Sequence, residues 1–284
     1  MYEEFSVSNM DKKLLSGFLL FFLSVVVFAQ TGLKIFVEDN GGELTIVKSR
    51  GKIKELIIPE TINDKPVTII GEGAFTRKGL TKVTIPDSVT EIGEGPFSYN
   101  ELSILKIGNN VETIGQKAFY NNKLDDLTIG AGVKSIGMGA FANNELTKID
   151  IPDSVTSIQP YAFFFNKLKI ITIPDNVTAI GEGAFSSNHI YSVVIGGSVE
   201  EIGNGAFFNN RLTSITIPGS VTAMGKRVFE SRITKKGSEL PVDYVDETGE
   251  VIFTTANNFD TFYASTGMRA GKYSYSREGW SIEE

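Results

Sequence analysis

Apolar residues recur along this chain with a fixed period. Phe75, Phe97, Phe119, Phe141, Phe163, Phe185, Phe207 and Phe229 stand 22 residues apart. The same interval carries Ile85, Ile107, Ile129, Ile151, Ile173, Ile195 and Ile217, and Val89, Val111, Val133, Val155, Val177, Val199 and Val221. A third series runs Ile92, Ile114, Ile136, Ile158, Ile180, Ile202 and Met224, and Asn100, Asn122, Asn144, Asn166, Asn188 and Asn210 close each unit. A unit this short cannot bury its own apolar face. Successive units must stack, like residue on like, to make one continuous core. One inserted residue would move every later apolar side chain off its ladder, so stacking demands a constant period.

Within a unit, Leu80–Ile85 ends in alternation, with Val83 and Ile85 on one face, and predicts a short strand. Pro86-Asp87-Ser88 stops it, and glycine takes the proline position at Gly108, Gly130 and Gly196. Val89–Ile92 is a second extended piece. Gly93–Phe97 then turns the corner, predicted as a helical turn, with Asn100 suited to the left-handed residue at its end. Asp87, Asp153 and Asp175 follow the prolines, where Asp is expected to cap its own backbone. A calcium ladder would need several converging oxygens per site, and the intervening units offer Asn109, Ala131 and Gly197.

The unit LxxIxIPxSVxxIGxxAFxxN resembles the BspA-like leucine-rich repeats of bacterial surface proteins, and Leu212–Gly225 is a near-consensus copy. Ile57–Val67 reads as a first repeat lengthened by five residues. The resemblance covers about residues 53–233. Departures are Pro96 for the usual alanine, Gln159-Pro160 for Gly-Glu, and Arg227-Val228 for Gly-Ala in the last unit. The resemblance implies a repeat solenoid, mainly β with short helical turns: a right-handed stack of about eight 22-residue coils with N- and C-terminal caps. It also implies a secreted or cell-surface protein that mediates protein–protein interaction, as an adhesin for host extracellular or bacterial surface proteins. The tail pattern GKYSYSxxGW resembles tails of spirochaete members.

An open stack would expose its core and strand edges, so both ends need covering. Four segments are expected: a signal peptide over 1–29, an N-terminal β-hairpin cap over 30–52, the solenoid over 53–233, and a C-terminal cap or small β-rich tail module over 234–284. Lys12 and Lys13 precede an apolar run, Leu14–Phe28, and small residues place cleavage near Ala29. That run of 15 residues falls short of the ~20 that span a bilayer, although an uncleaved anchor is the alternative; Met10 is a second candidate start. Asn40-Gly41-Gly42 marks the first hairpin. In the tail, Val251–Phe253 predicts a strand, Phe259–Ala264 a short helix, and Lys272–Tyr275 with Trp280–Ile282 a hairpin. The clustered Tyr and Trp serve either a ligand or a small aromatic cap.

Composition narrows the chemistry. The net charge is −7 with both signs interspersed, which lacks the basic stripe needed for nucleic acid. There is no cysteine, so disulfides, thiol nucleophiles, thiolate metal sites and a lipidated cysteine are excluded. His189 is the single histidine and reads as a solvated loop residue. Gly-Glu-Gly at 71–73, 93–95 and 181–183 lacks a phosphate-loop lysine and recurs with the repeat, so it is a corner. No pair of carboxylates stands out as a glycosidase couple. The chain is read as a binding protein, not an enzyme, with no cofactor and no metal, and with no membrane span after cleavage.

The binding surface expected is the outward face of the strands. If Val83 and Ile85 point inward, Lys82 and Thr84 point outward. Stacking lays out one row of Lys82, Ile104, Asp126, Lys148, Ile170, Ser192 and Ser214, and a second of Thr84, Lys106, Thr128, Asp150, Thr172, Val194 and Thr216, along one sheet. Candidate contact residues are Lys82, Thr84, Ile104, Lys106, Asp126, Lys148, Asp150, Ile170 and Val194. The threonines alone would also suit an inert strand surface. Phe164, Phe165 and Phe208 form either a second patch or packing for the outer wall. The alternative function is a carbohydrate-binding module using the C-terminal aromatics, or an extracellular polysaccharide-acting protein.

Overall fold

A computed structural model describes residues 32–212 and 214–229, together with the backbone of residues 271–276 and 279–283. The signal segment, Val251–Phe253 and Phe259–Ala264 lie outside the described residues. The chain opens with an antiparallel hairpin of β1 (Leu33–Asp39) and β2 (Leu44–Gly51). It then winds as a β-solenoid of about eight coils with two walls.

The front wall holds β3 (Glu55–Ile57), β6 (Lys82–Thr84), β8 (Ile104–Lys106), β10 (Asp126–Thr128), β13 (Ile170–Thr172), β15 (Ser192–Val194) and β17 (Ser214–Ile217). The back wall holds β5 (Lys65–Ile70), β7 (Glu91–Ile92), β9 (Thr113–Ile114), β11 (Ser135–Ile136), β12 (Ser157–Ile158), β14 (Ala179–Ile180), β16 (Glu201–Ile202) and β18 (Ala223–Met224). These back strands, led by β1 and β2, pair into one continuous sheet. The lengthened first repeat adds β4 (Thr61–Ile62), which turns back on β5 through Asn63 and Asp64, both left-handed. Two consecutive positive φ values define the primed turn whose twist suits a tight hairpin.

Like sits on like. Ile92, Ile114, Ile136, Ile158, Ile180, Ile202 and Met224 are successive backbone partners. The phenyl rings from Phe75 to Phe229 form one column, with centroids 5.2–5.6 Å apart and planes tilted by 3–13°. Offset parallel rings add attraction beyond simple burial. All eight side chains are fully buried.

The repeated asparagine does more than end a turn. Asn122 Oδ1 accepts the Leu102 amide at 3.0 Å, and its Nδ2 donates at 3.0 Å to both the Phe97 and Phe119 carbonyls. One buried amide therefore satisfies groups on two coils. Asn144, Asn166, Asn188 and Asn210 repeat this bonding one coil after another. Aspartate cannot donate and serine is too short, which explains the recurrence of asparagine.

Two local expectations need correction. The corner is not helical: no helix occurs among the described residues. Ala118 and Tyr120 donate instead to Gly115 and Lys117 in overlapping turns, and Lys117 is left-handed, which blocks helical continuation. The second left-handed residue is also not the asparagine but the one before it: Tyr99, Asn121, Asn143, Phe165, Ser187 and Asn209. The glycine at 115 serves close approach, since a Cβ there would sit 2.3 Å from the Gly93 carbonyl oxygen.

Below the last front strand, β17 pairs antiparallel with β19 (Gly271–Ser276), which pairs with β20 (Gly279–Glu283). The tail hairpin thus occupies the edge of β17.

Asn144→Ala is expected to lower stability by about 3 kcal/mol, because buried amide and carbonyl groups lose their partners. Phe141→Ala is expected to lower it by about 3–5 kcal/mol through a cavity in the ring column. Urea denaturation of both variants checks these values. A change under 1 kcal/mol for Asn144→Ala would contradict the clamping role.

Candidate functional site

The front wall positions most of the expected contact residues. Its inward residues Leu56, Val83, Leu105, Ile171 and Val193 are buried, so alternate side chains must face out. Ile104, Lys106, Asp126, Lys148, Asp150, Ile170 and Val194 are exposed, while Lys82 and Thr84 are half-buried. Register places Lys82 beside Ile104 and Ile104 beside Asp126, with Thr84 beside Lys106. Ile170 lies beside Ser192, and Thr172 beside Val194. Ile57, from the lengthened first repeat, extends the second row as another exposed aliphatic.

The two rows do not lie on one unbroken sheet. Lys148 and Asp150 belong to no strand, so a four-stranded segment and a two-stranded segment flank their coil. The Asn-corner amides still connect this coil: Glu145 donates to the Leu124 carbonyl and Lys167 to that of Leu146. The front wall is therefore opened while the corner stays closed. Leu127, Ile129 and Ile149 are only partly buried there. Nothing in the composition of this coil forbids a strand.

In the aspartate row, Asp87 and Asp175 bridge coils. Asp87 Oδ1 accepts the Asn109 amide at 2.6 Å, and Asp175 Oδ1 accepts the Gly197 amide at 2.8 Å. Each carboxylate thus reaches the next coil instead of capping its own backbone. Among the described residues, no group of three or more His, Cys, Asp or Glu side chains could hold a metal.

Reading the strands alone missed a second feature. The position after each repeated asparagine carries Glu101, Lys123, Glu145, Lys167, His189 and Arg211 in successive coils. The last three are basic, or can become so, and line one cleft of about 430 Å³ with Phe165, Ser187 and Asn209. Phe165 is 60% exposed, whereas Phe164 and Phe208 are half-buried in the wall. Arg211 and His189 are half-buried, and Lys167 reaches Glu145 at 2.9 Å. His189 is therefore not the freely solvated residue expected. Burial first, then the positive charges of Arg211, Lys167 and Lys169, hold its imidazole below the ordinary value near 6.5.

This fold, with its stacked coils of about 22 residues and their buried ladders, defines a leucine-rich-repeat solenoid. The chain belongs to the family described as the BspA type leucine rich repeat region, which matches residues 48–164 and 112–236 with six copies. A leucine rich cell surface protein from Faecalibacterium prausnitzii is similar at 26% identity and a TM-score of 0.50, over 90% of this chain and 60% of that one. The pneumococcal vaccine antigen PcpA is similar in fold at 18% identity and a TM-score of 0.53, over 72% of this chain and 68% of the antigen. The chain thus spans 60% of the length of the Faecalibacterium protein. No curated protein matches it. No helix among the described residues is long and apolar enough to cross a membrane.

The single histidine gives a direct check on the corner. The folded protein binds the His189 proton less tightly than the unfolded chain does, so acid favours unfolding. Its stabilising contribution is complete above the unfolded value near 6.5 and is lost as pH falls through the lower folded value. The imidazole resonance of an untagged chain is expected to titrate below 6.5, and His189→Gln to flatten this part of the stability profile. A titration at or above 6.5 would contradict the burial and the cationic surroundings.

Proposed function

We propose that this protein is a secreted or surface-exposed adhesin whose front wall binds an extracellular protein of a host or of neighbouring bacteria. One observation carries the reading. Ile170 and Val194, at 52% and 57% exposure, stand with Ile104 and Ile57 in the outward rows while their inward neighbours are buried. Exposed aliphatic side chains among charged ones match the composition of a contact surface, with apolar anchors inside a polar surround. Seven coils at ~4.8 Å per step give a wall about 30 Å long, the reach of an ordinary protein interface. The buried ladders hold this wall while its outward residues vary, which suits recognition. The BspA-type family and the similarity to a bacterial cell surface protein support the same reading. The expected signal segment supports export, with Ala29 as the last residue removed.

The test uses immobilised extracellular-matrix proteins and surface proteins of co-resident bacteria. Ile170→Asp combined with Val194→Asp is expected to weaken the captured interaction at least tenfold, about 1.4 kcal/mol. Thr222→Lys, near β18 on the back wall, is expected to leave it unchanged. Equal loss in both variants, or no binding to any of these proteins by the parent chain, would overturn the proposal. Fractionation with N-terminal sequencing checks export; an uncleaved cytoplasmic product contradicts it.

A further inference from the structure

We infer that the corner cleft formed by Phe165, Lys167, His189 and Arg211 is a second binding site, separate from the front wall, for a linear acidic polysaccharide bearing carboxylate or sulfate groups. The charge argument comes first. The chain as a whole carries −7, yet one row of this corner turns from Glu101, Lys123 and Glu145 to Lys167, His189 and Arg211. Lys169 adds a further cation to the field at His189. Glu145 neutralises Lys167 in part. Among the described residues, Arg211 has no carboxylate partner, although it is half-buried in the cleft. A guanidinium that has lost part of its hydration without gaining a counter-charge is set to receive an anion.

Geometry points to a polymer of rings. Lys167, His189 and Arg211 come from successive coils, so their backbones step by ~4.8 Å along the stack. That step is close to the rise of one pyranose along an extended polysaccharide. A linear chain with one anionic group on successive sugars would therefore meet one basic residue per coil, His189 becoming cationic when it takes up a proton. At the N-terminal end of the same cleft, Phe165 presents an open ring on a left-handed backbone. An aromatic face takes the apolar C–H face of a pyranose, which an acidic peptide does not offer. On the floor, Asn209 Nδ2 donates to Ser187 Oγ at 3.3 Å, placing amide and hydroxyl groups where sugar hydroxyls would lie. A volume of about 430 Å³ falls in the range of small-ligand sites.

The experiment follows the imidazole of His189 by proton NMR in an untagged full chain, with calorimetry alongside. The probes are a heparin hexasaccharide, a hexagalacturonate with a carboxylate on every sugar, neutral maltohexaose and poly-glutamate. An acidic saccharide is expected to move the His189 resonance and raise its pKa. Affinity is then expected to rise several-fold as pH falls from about 7 to about 5, because binding takes up a proton. The groups facing His189 in this range are Lys167, Lys169 and Arg211, all cationic, with Glu145 held by Lys167. Binding of hexagalacturonate assigns carboxylate recognition; binding of heparin alone assigns sulfate. Phe165→Ala and Arg211→Ala are each expected to weaken saccharide binding at least tenfold, and Phe165→Tyr to retain it. An unchanged His189 titration in Phe165→Ala without ligand separates lost contact from lost fold. The inference is overturned if neither acidic saccharide moves His189, if maltohexaose binds equally well, or if poly-glutamate matches them and Phe165→Ala has no effect. None of these outcomes depends on the front wall, so the two sites stand or fall separately.

Discussion

The ladder hydrogen bonds of this protein run between coils, and that forces the 22-residue period. From Phe75 to Phe207, the amide of each ladder phenylalanine donates to the carbonyl of the residue just before the next one: Phe119 to Ala140 and Phe141 to Ala162, both at 2.8 Å. A coil alone would leave these groups open, and buried open groups are costly. Two coils of equal length satisfy them. Equal length then sets phenyl upon phenyl and asparagine upon asparagine. Core, corner and polar ladder are three results of one spacing rule.

The same rule separates scaffold from surface. Positions facing inward are fixed by the coil above and the coil below, so they scarcely vary. Positions facing outward touch only side neighbours on the stack, so charge and size change freely along a row. That freedom produces the exposed aliphatics of the front wall and the run of basic residues at the asparagine corner. Where coils approach closely, as at Gly115, even a methyl group meets backbone. Where the chain turns sharply, side chains as large as Tyr161 and Phe165 accept left-handed backbone, because their neighbours hold the turn in place.

Much of this was legible in the chain itself. The phenylalanine, isoleucine and valine ladders followed from period alone, because a buried position tolerates few substitutes. Apart from the coil at Lys148–Asp150, the two strands of the regular coils followed from short alternating runs ended by Pro or Gly. The asparagine series was visible, but its role was not: recurrence marks importance without saying which atoms bond. The left-handed position escaped notice because Tyr, Asn, Phe and Ser all occupy it. The helical reading of the corner failed because Lys117 and Tyr161 give no sign of positive φ. The break at Lys148–Asp150 had no sequence mark, since that coil keeps the strand pattern. The basic cleft was missed because the contact rows were drawn only along the strands, although Lys167, His189 and Arg211 keep the same interval.

Cysteine cross-linking tests like-on-like stacking most directly, helped by a chain with no cysteine of its own. Lys106 and Thr128 are exposed backbone partners on β8 and β10, one period apart. Lys106→Cys with Thr128→Cys is predicted to form an intramolecular disulfide in the native protein under mild oxidation, since adjacent strands lie within disulfide reach. Lys106→Cys with Thr172→Cys, three coils apart and thus about 14 Å away, is predicted to stay reduced. Failure of the first pair to close, or closure of the second equally fast, would contradict the stacked-coil account.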